Sequence, residues 1–78
     1  MSEAIKSKVI KIIADQAGVA GDSIKGETSL QADLELDSLD IMDLLLVLEE
    51  EFDLQIPDEE LSNIQTVNDI VNYIERQE

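Results

Sequence analysis

The chemistry this sequence can perform is concentrated around one hydroxyl set among carboxylates. In the run Asp33-Leu34-Glu35-Leu36-Asp37-Ser38-Leu39-Asp40, Ser38 stands where a turn-rich stretch gives way to a helical pattern. The first amides of a helix lack intrahelical partners and favour negative charge, so a phosphate ester on Ser38 is electrostatically tolerable there despite the neighbouring acids. The plainer reading is that Ser38 caps the helix, as Ser and Asp at helix starts routinely do. Asp33, Glu35 and Asp37 also alternate as the oxygen ligands of a calcium loop would, but that reading fails. Counted from Asp33, the sixth position should be the glycine of the sharp turn and is Ser38, and the twelfth should be a chelating glutamate and is Leu44. Catalysis by acid, base or nucleophile has little to work with. The chain has no His, no Cys and no Gly-rich phosphate loop, and 78 residues are too few to enclose a substrate.

The elements that must position this hydroxyl can be traced along the chain. From Glu3 to Ala17, Ile5, Val9, Ile12 and Ile13 recur at helical spacing with Lys6, Lys8 and Lys11 elsewhere, which predicts an amphipathic helix ending near Gly18. Between Gly18 and Leu36 the pattern fails. Gly21, Asp22, Ser23, Gly26, Thr28 and Ser29 supply turn chemistry around apolar anchors at Val19, Ile24, Leu30 and Leu34, as in a packed and functional loop. A second helix starting at Asp37 or Ser38 runs to about Phe52, with Ile41, Leu44, Leu45, Leu48 and Phe52 on its core stripe. Pro57 and Asp58 open a short helical turn through Leu61, anchored by Ile56 and Ile64. Thr66 with Asp69 then forms a capping box before Val67, Ile70, Val71 and Ile74. The expected fold is all-α: a small antiparallel-type four-helix bundle with three main helices, one short helix and a long loop between the first two. Residues 1–78 read as a single domain, without repeats or linker composition.

Charge narrows the partners. Up to Gly26 four lysines face three acids, whereas from Glu27 onward sixteen acids face only Arg76, and the whole chain carries a net charge of −14. Such a field repels nucleic-acid phosphates and anionic lipid headgroups and attracts basic protein surfaces. The longest apolar run, Leu44 to Leu48, is far too short to span a bilayer, and the Met-Ser-Glu-Ala start lacks secretory features, so a cytoplasmic location is the default expectation. Opposite its core stripe the second helix carries Leu39, Met42, Leu46 and Val47 interleaved with Asp40, Asp43, Glu50 and Glu51. A purely solvated face needs no such apolar residues, and an apolar patch rimmed by charge is typical of a binding surface.

Taken together, Asp37-Ser38-Leu39-Asp40, Leu48-Glu49-Glu50-Glu51-Phe52, Ile56-Pro57-Asp58-Glu59-Glu60, Thr66-Val67 and Tyr73-Ile74 resemble an acyl carrier protein over nearly the whole chain. The resemblance implies a monomeric carrier that catalyses nothing itself. Its motif serine, matched here by Ser38 with Asp37 and Leu39 beside it, would receive 4'-phosphopantetheine from coenzyme A through a phosphopantetheinyl transferase. Acyl groups would then hang as thioesters on the arm's thiol, which is how a chain without Cys could take part in thiol chemistry. It further implies that Asp40, Met42, Asp43, Leu46, Glu49 and Glu50 of the second helix dock transferases and acyl synthases bearing basic patches. Acyl chains would shelter among aliphatic core residues, each buried methylene being worth roughly 0.8 kcal/mol.

Two departures bear on the subtype. Many members of that family carry Gly where this sequence has Glu35, and a smaller residue where it has Leu36, and Glu adopts left-handed backbone angles less cheaply than Gly. A specialised carrier for polyketide synthesis, lipid modification or D-alanine transfer is one alternative, and an unmodified acidic adaptor using the same helix face is another. The Glu-Glu-Glu-Phe and Ile-Pro-Asp-Glu-Glu segments favour the fatty-acyl kind.

Overall fold

The computed structural model describes residues 3–77; Met1, Ser2 and Glu78, and with them the reading of the chain's extreme start, lie outside the described residues. Three long helices, α1 (Glu3–Ala17), α2 (Ser38–Phe52) and α3 (Val67–Gln77), are joined by loops that hold two short 3-10 segments, Gly21–Ser23 and Asp58–Asn63. Both α2 and α3 pack against α1. The short element after Pro57 is a 3-10 helix and runs two residues beyond Leu61, the end expected from the sequence.

Each boundary has a local cause. Helix α1 stops at Gly18, whose φ of 71° is open to a residue without Cβ, and the Gly18 and Val19 amides both donate to the Ala14 carbonyl. Helix α2 stops at Asp53, also left-handed at φ 54°, whose amide donates to the Glu49 carbonyl. Helix α3 begins with the expected box: the Asp69 amide donates to the Thr66 hydroxyl (3.3 Å), and the Thr66 amide donates back to the Asp69 carboxylate (3.1 Å). The Gln65 amide donates to the same carboxylate at 3.0 Å. This Gln65 bond, with those from Thr66, holds the Asp69 carboxyl below its ordinary value of 3.8 against the opposing effect of burial.

The core gathers Val9 and Ile13 of α1, Leu44 and Leu48 of α2, and Val67, Ile70 and Ile74 of α3, all fully enclosed. Four expected anchors sit further out. Ile12, Leu34 and Phe52 are half-buried, with the Phe52 ring lying 5.4 Å from the Lys8 ammonium, and Val19 is exposed because the chain turns outward just after Gly18. The long loop between α1 and α2 is packed, as its spaced apolar residues suggested. Ile24, Leu30 and Leu36 are buried, and the loop pairs with the entry to α3 through bonds from Leu30 N–H to Gln65 O (2.9 Å), Val67 N–H to Thr28 O (3.2 Å) and Asn68 N–H to Gly26 O (2.8 Å). A Cβ at Gly26 would meet the Asn68 carboxamide, which would have to swing aside. Among the described residues no buried side-chain polar atom lacks a partner. A core of this size cannot tolerate many such losses.

Candidate functional site

Ser38 is the first residue of α2, and its hydroxyl is not the cap of that helix. The cap is Asp37: its Oδ1 accepts from the Asp40 amide at 2.9 Å, while Asp40 Oδ2 accepts from the Asp37 amide at 3.3 Å. With the Asp37 and Asp40 amides taken by the flanking aspartates, the Ser38 side chain is exposed and bonds no described residue. A capping role for Ser38 is therefore displaced by its neighbours, and its oxygen is left available to chemistry.

The loop feeding this turn is held on both sides. The Ser29 amide donates to the Asp33 carboxylate (2.7 Å), the Ala32 amide to the Ser29 hydroxyl (3.1 Å), and the Leu36 amide to the Leu30 carbonyl (3.0 Å). Between the buried Leu36 and that turn, Glu35 is forced to φ 57°. The loop thus keeps the left-handed geometry that Gly would adopt freely, and this chain bears the cost with Glu.

Along α2 the expected surface residues divide. Leu39, Met42 and Leu46 are 71%, 42% and 57% exposed, large values for apolar side chains, and Asp40, Asp43 and Glu50 are exposed around them. Together they form one apolar patch with an acidic rim. Val47, expected on the same face, is half-buried. Glu49 is also half-buried, and its Oε2 accepts from the Ile56 amide at 2.6 Å, clamping the loop that leaves α2. The Tyr73 hydroxyl ties the same loop to α3 by donating to the Gln55 carbonyl at 3.1 Å.

Two small cavities lie beside Ser38 and this face. A groove of about 190 Å³ opens at Ser38, lined by the apolar Ile41, Leu61 and Ile64 and by the neutral polar Gln31, Ser62 and Gln65. A second space of about 100 Å³ lies under Met42, Leu45 and Leu46, and Leu61 borders both. Nothing in the local pattern marks Gln31, Ser62 or Gln65 as site residues, because the pairing of Leu30 with Gln65 beside them is a long-range contact. An exposed serine oxygen at a helix start, with a neutral groove beside it, suits the covalent attachment of a phosphodiester-linked arm at Ser38.

Comparison with known proteins agrees with this geometry. Residues 7–74 match the family model described as a phosphopantetheine attachment site. The chain is 49% identical over 73 residues to an acyl carrier protein of Bdellovibrio bacteriovorus, covering 94% of each. It is 54% identical over 67 residues to one of Clostridium acetobutylicum, covering 86% of this chain and 87% of that protein. The solved structure of an acyl carrier protein from Enterococcus faecalis superposes with a TM-score of 0.82 at 34% identity, covering 97% of this chain and 96% of that one. On sequence, fold and family match alike, the chain belongs to the acyl carrier proteins, the phosphopantetheine-bearing carriers that are not themselves enzymes.

Proposed function

We propose that Ser38 is the attachment point of 4'-phosphopantetheine and that the chain serves as an acyl carrier of the fatty-acyl kind. The observation that carries this reading is the free Ser38 hydroxyl, spared from capping by Asp37 and Asp40. The arm supplies a thiol that holds acyl groups as thioesters, a chemistry a chain without Cys lacks. The protein's own residues do the rest. Asp37 fixes the first turn so that Ser38 faces outward, and the helix start favours the negative phosphodiester. Leu39, adjacent and exposed, offers an apolar contact to any enzyme that reaches the arm.

Docking falls to Asp40, Asp43 and Glu50 as steering charges and to Leu39, Met42 and Leu46 as contact area. Glu49 adds charge to that face while its carboxylate holds Ile56. Phosphopantetheinyl transferases, acyl synthases and acyl transferases presenting Arg and Lys beside their active sites are the matching partners. The net charge of −14 supports a monomer that keeps clear of nucleic acid and anionic membranes. Among the described residues no helix is long and apolar enough to cross a bilayer. A cytoplasmic site of action fits both features.

Incubation of the purified protein with coenzyme A and a broad-specificity phosphopantetheinyl transferase tests the reading. Intact mass should rise by one arm in the wild type and stay unchanged in Ser38→Ala. An unmodified wild type, or a modified Ser38→Ala protein, would overturn it.

A further inference from the structure

Four acids stand in the run from Asp33 to Asp40, and three of them are engaged within the fold. Asp33 accepts from the Ser29 amide at 2.7 Å, and Asp37 and Asp40 accept from each other's amides. Glu35 is the exception. Its side chain is exposed, and its carboxylate bonds no described residue.

That free carboxylate also sits on strained backbone. Glu35 is held at φ 57°, where glycine, which has no Cβ to crowd the chain, is the residue that stability alone would favour. The half-buried Leu34 and the buried Leu36 turn inward on either side of it, and the Leu36 amide donates to the Leu30 carbonyl at 3.0 Å. The neighbours thus set the conformation and turn the Glu35 side chain out to solvent. A side chain kept in a costly conformation with no bond to offset it points to a use outside the fold.

Position favours such a use. Three steps of extended chain cover at most about 11 Å, so Glu35 lies within roughly one Debye length of Ser38 at about 0.1 M salt. It stands on the loop side of the hydroxyl, whereas the exposed Asp43 and Glu50 stand along the helix.

We infer that Glu35 is a contact residue for the enzyme that loads Ser38: it pairs with a basic side chain on the loop side of that enzyme's active-site mouth and so favours transferases that carry one there. This rests on attachment at Ser38, and it adds to the α2 face a contact that glycine at position 35 would not supply. A contact at the rim acts on encounter and orientation and leaves the transfer step alone, so its effect belongs in KM.

The test follows loading of the full-length protein by coenzyme A and the broad-specificity transferase, read by intact mass at low ionic strength and again with added salt. Glu35→Gln and Glu35→Gly should both raise KM roughly two- to five-fold at unchanged kcat, the range of one exposed ion pair, and the difference from wild type should shrink with salt. Gly frees the backbone and Gln does not, so equal effects assign the loss to charge. Glu35→Asp should recover most of it. Glu3→Gln removes the same unit of charge elsewhere and should load as wild type: Lys8 lies over Phe52, the last residue of α2, which places the first turns of α1 at the end of α2 away from Ser38. Wild-type kinetics in Glu35→Gln, an equal effect of Glu3→Gln, or a loss in Glu35→Gln that Glu35→Gly does not share would overturn the contact while leaving attachment intact. A wild type that gains no mass would overturn both.

Discussion

Helices α2 and α3 begin with the same device and put it to different uses. At α3 the carboxylate of the Thr66 and Asp69 box gathers the amides of Gln65 and Thr66, in the same segment that pairs with the long loop through backbone bonds. At α2 the box of Asp37 and Asp40 faces solvent and closes over nothing except its own amides. What it leaves is an unengaged Ser38 beside a patch of Leu39, Met42 and Leu46. One box sits where the chain crosses itself, and the other leaves a serine hydroxyl unengaged at the surface. The difference lies in the residue at the cap: a threonine hydroxyl spent at α3, and an aspartate at α2 that lets the following serine go unspent.

This contrast can be broken most decisively by charge reversal. Asp43→Lys with Glu50→Lys should weaken transferase binding roughly ten- to hundred-fold at low ionic strength, with the penalty shrinking as salt is added, while the far-ultraviolet circular dichroism spectrum is retained. Equal affinity of variant and wild type at low salt would mean that the α2 face is not the docking surface. At α3 the response should be the reverse. Asp69→Ala should cost about 1 kcal/mol in chemical denaturation and leave the loading rate of the folded protein unchanged.

The sign of the accompanying pH dependence is fixed. Asp69 binds its proton more weakly folded than unfolded, so its contribution is complete above the ordinary value of 3.8 and is lost as pH falls through the lower folded value. Asp69→Asn should flatten that acid limb of the stability curve, and a variant with the wild-type slope would show that the bonds from Gln65 and Thr66 carry no charge-dependent stability. The smallest effect should come from the strained residue ahead of Ser38. Glu35→Gly relieves a left-handed Glu at the expense of a more flexible unfolded chain, and a net gain of about 0.5–1 kcal/mol is expected from denaturant midpoints. Destabilisation would mean that the Glu35 side chain has a favourable role at the surface.

Local signals carried much of this molecule. The spacing of Ile5, Val9 and Ile13, the stop at Gly18, the start at Asp37 and Ser38, and the Thr66–Asp69 box are all read from a few consecutive residues, and each falls where the sequence places it. Legibility ended where distant segments meet. Glu49 looks like one more surface acid in Glu-Glu-Glu-Phe, and only the return of the chain to Ile56 turns its carboxylate inward. Val19 has the composition of an anchor, yet the turn at Gly18 carries it outward. The groove at Ser38 depends on Leu30 meeting Gln65, a pairing across more than thirty positions that leaves no periodic trace in either segment. Ser38 itself could be read locally as cap or tether, and the reciprocal bonds of Asp37 and Asp40 remove the cap.

The most direct measurement is peptide-level mass spectrometry of the protein isolated from its native cells. A phosphopantetheine arm located on the peptide containing Ser38, with an acyl group on its thiol, is the predicted result. Protein found wholly unmodified in growing cells, or an arm attached at Ser29, Ser62 or any other hydroxyl, would contradict it.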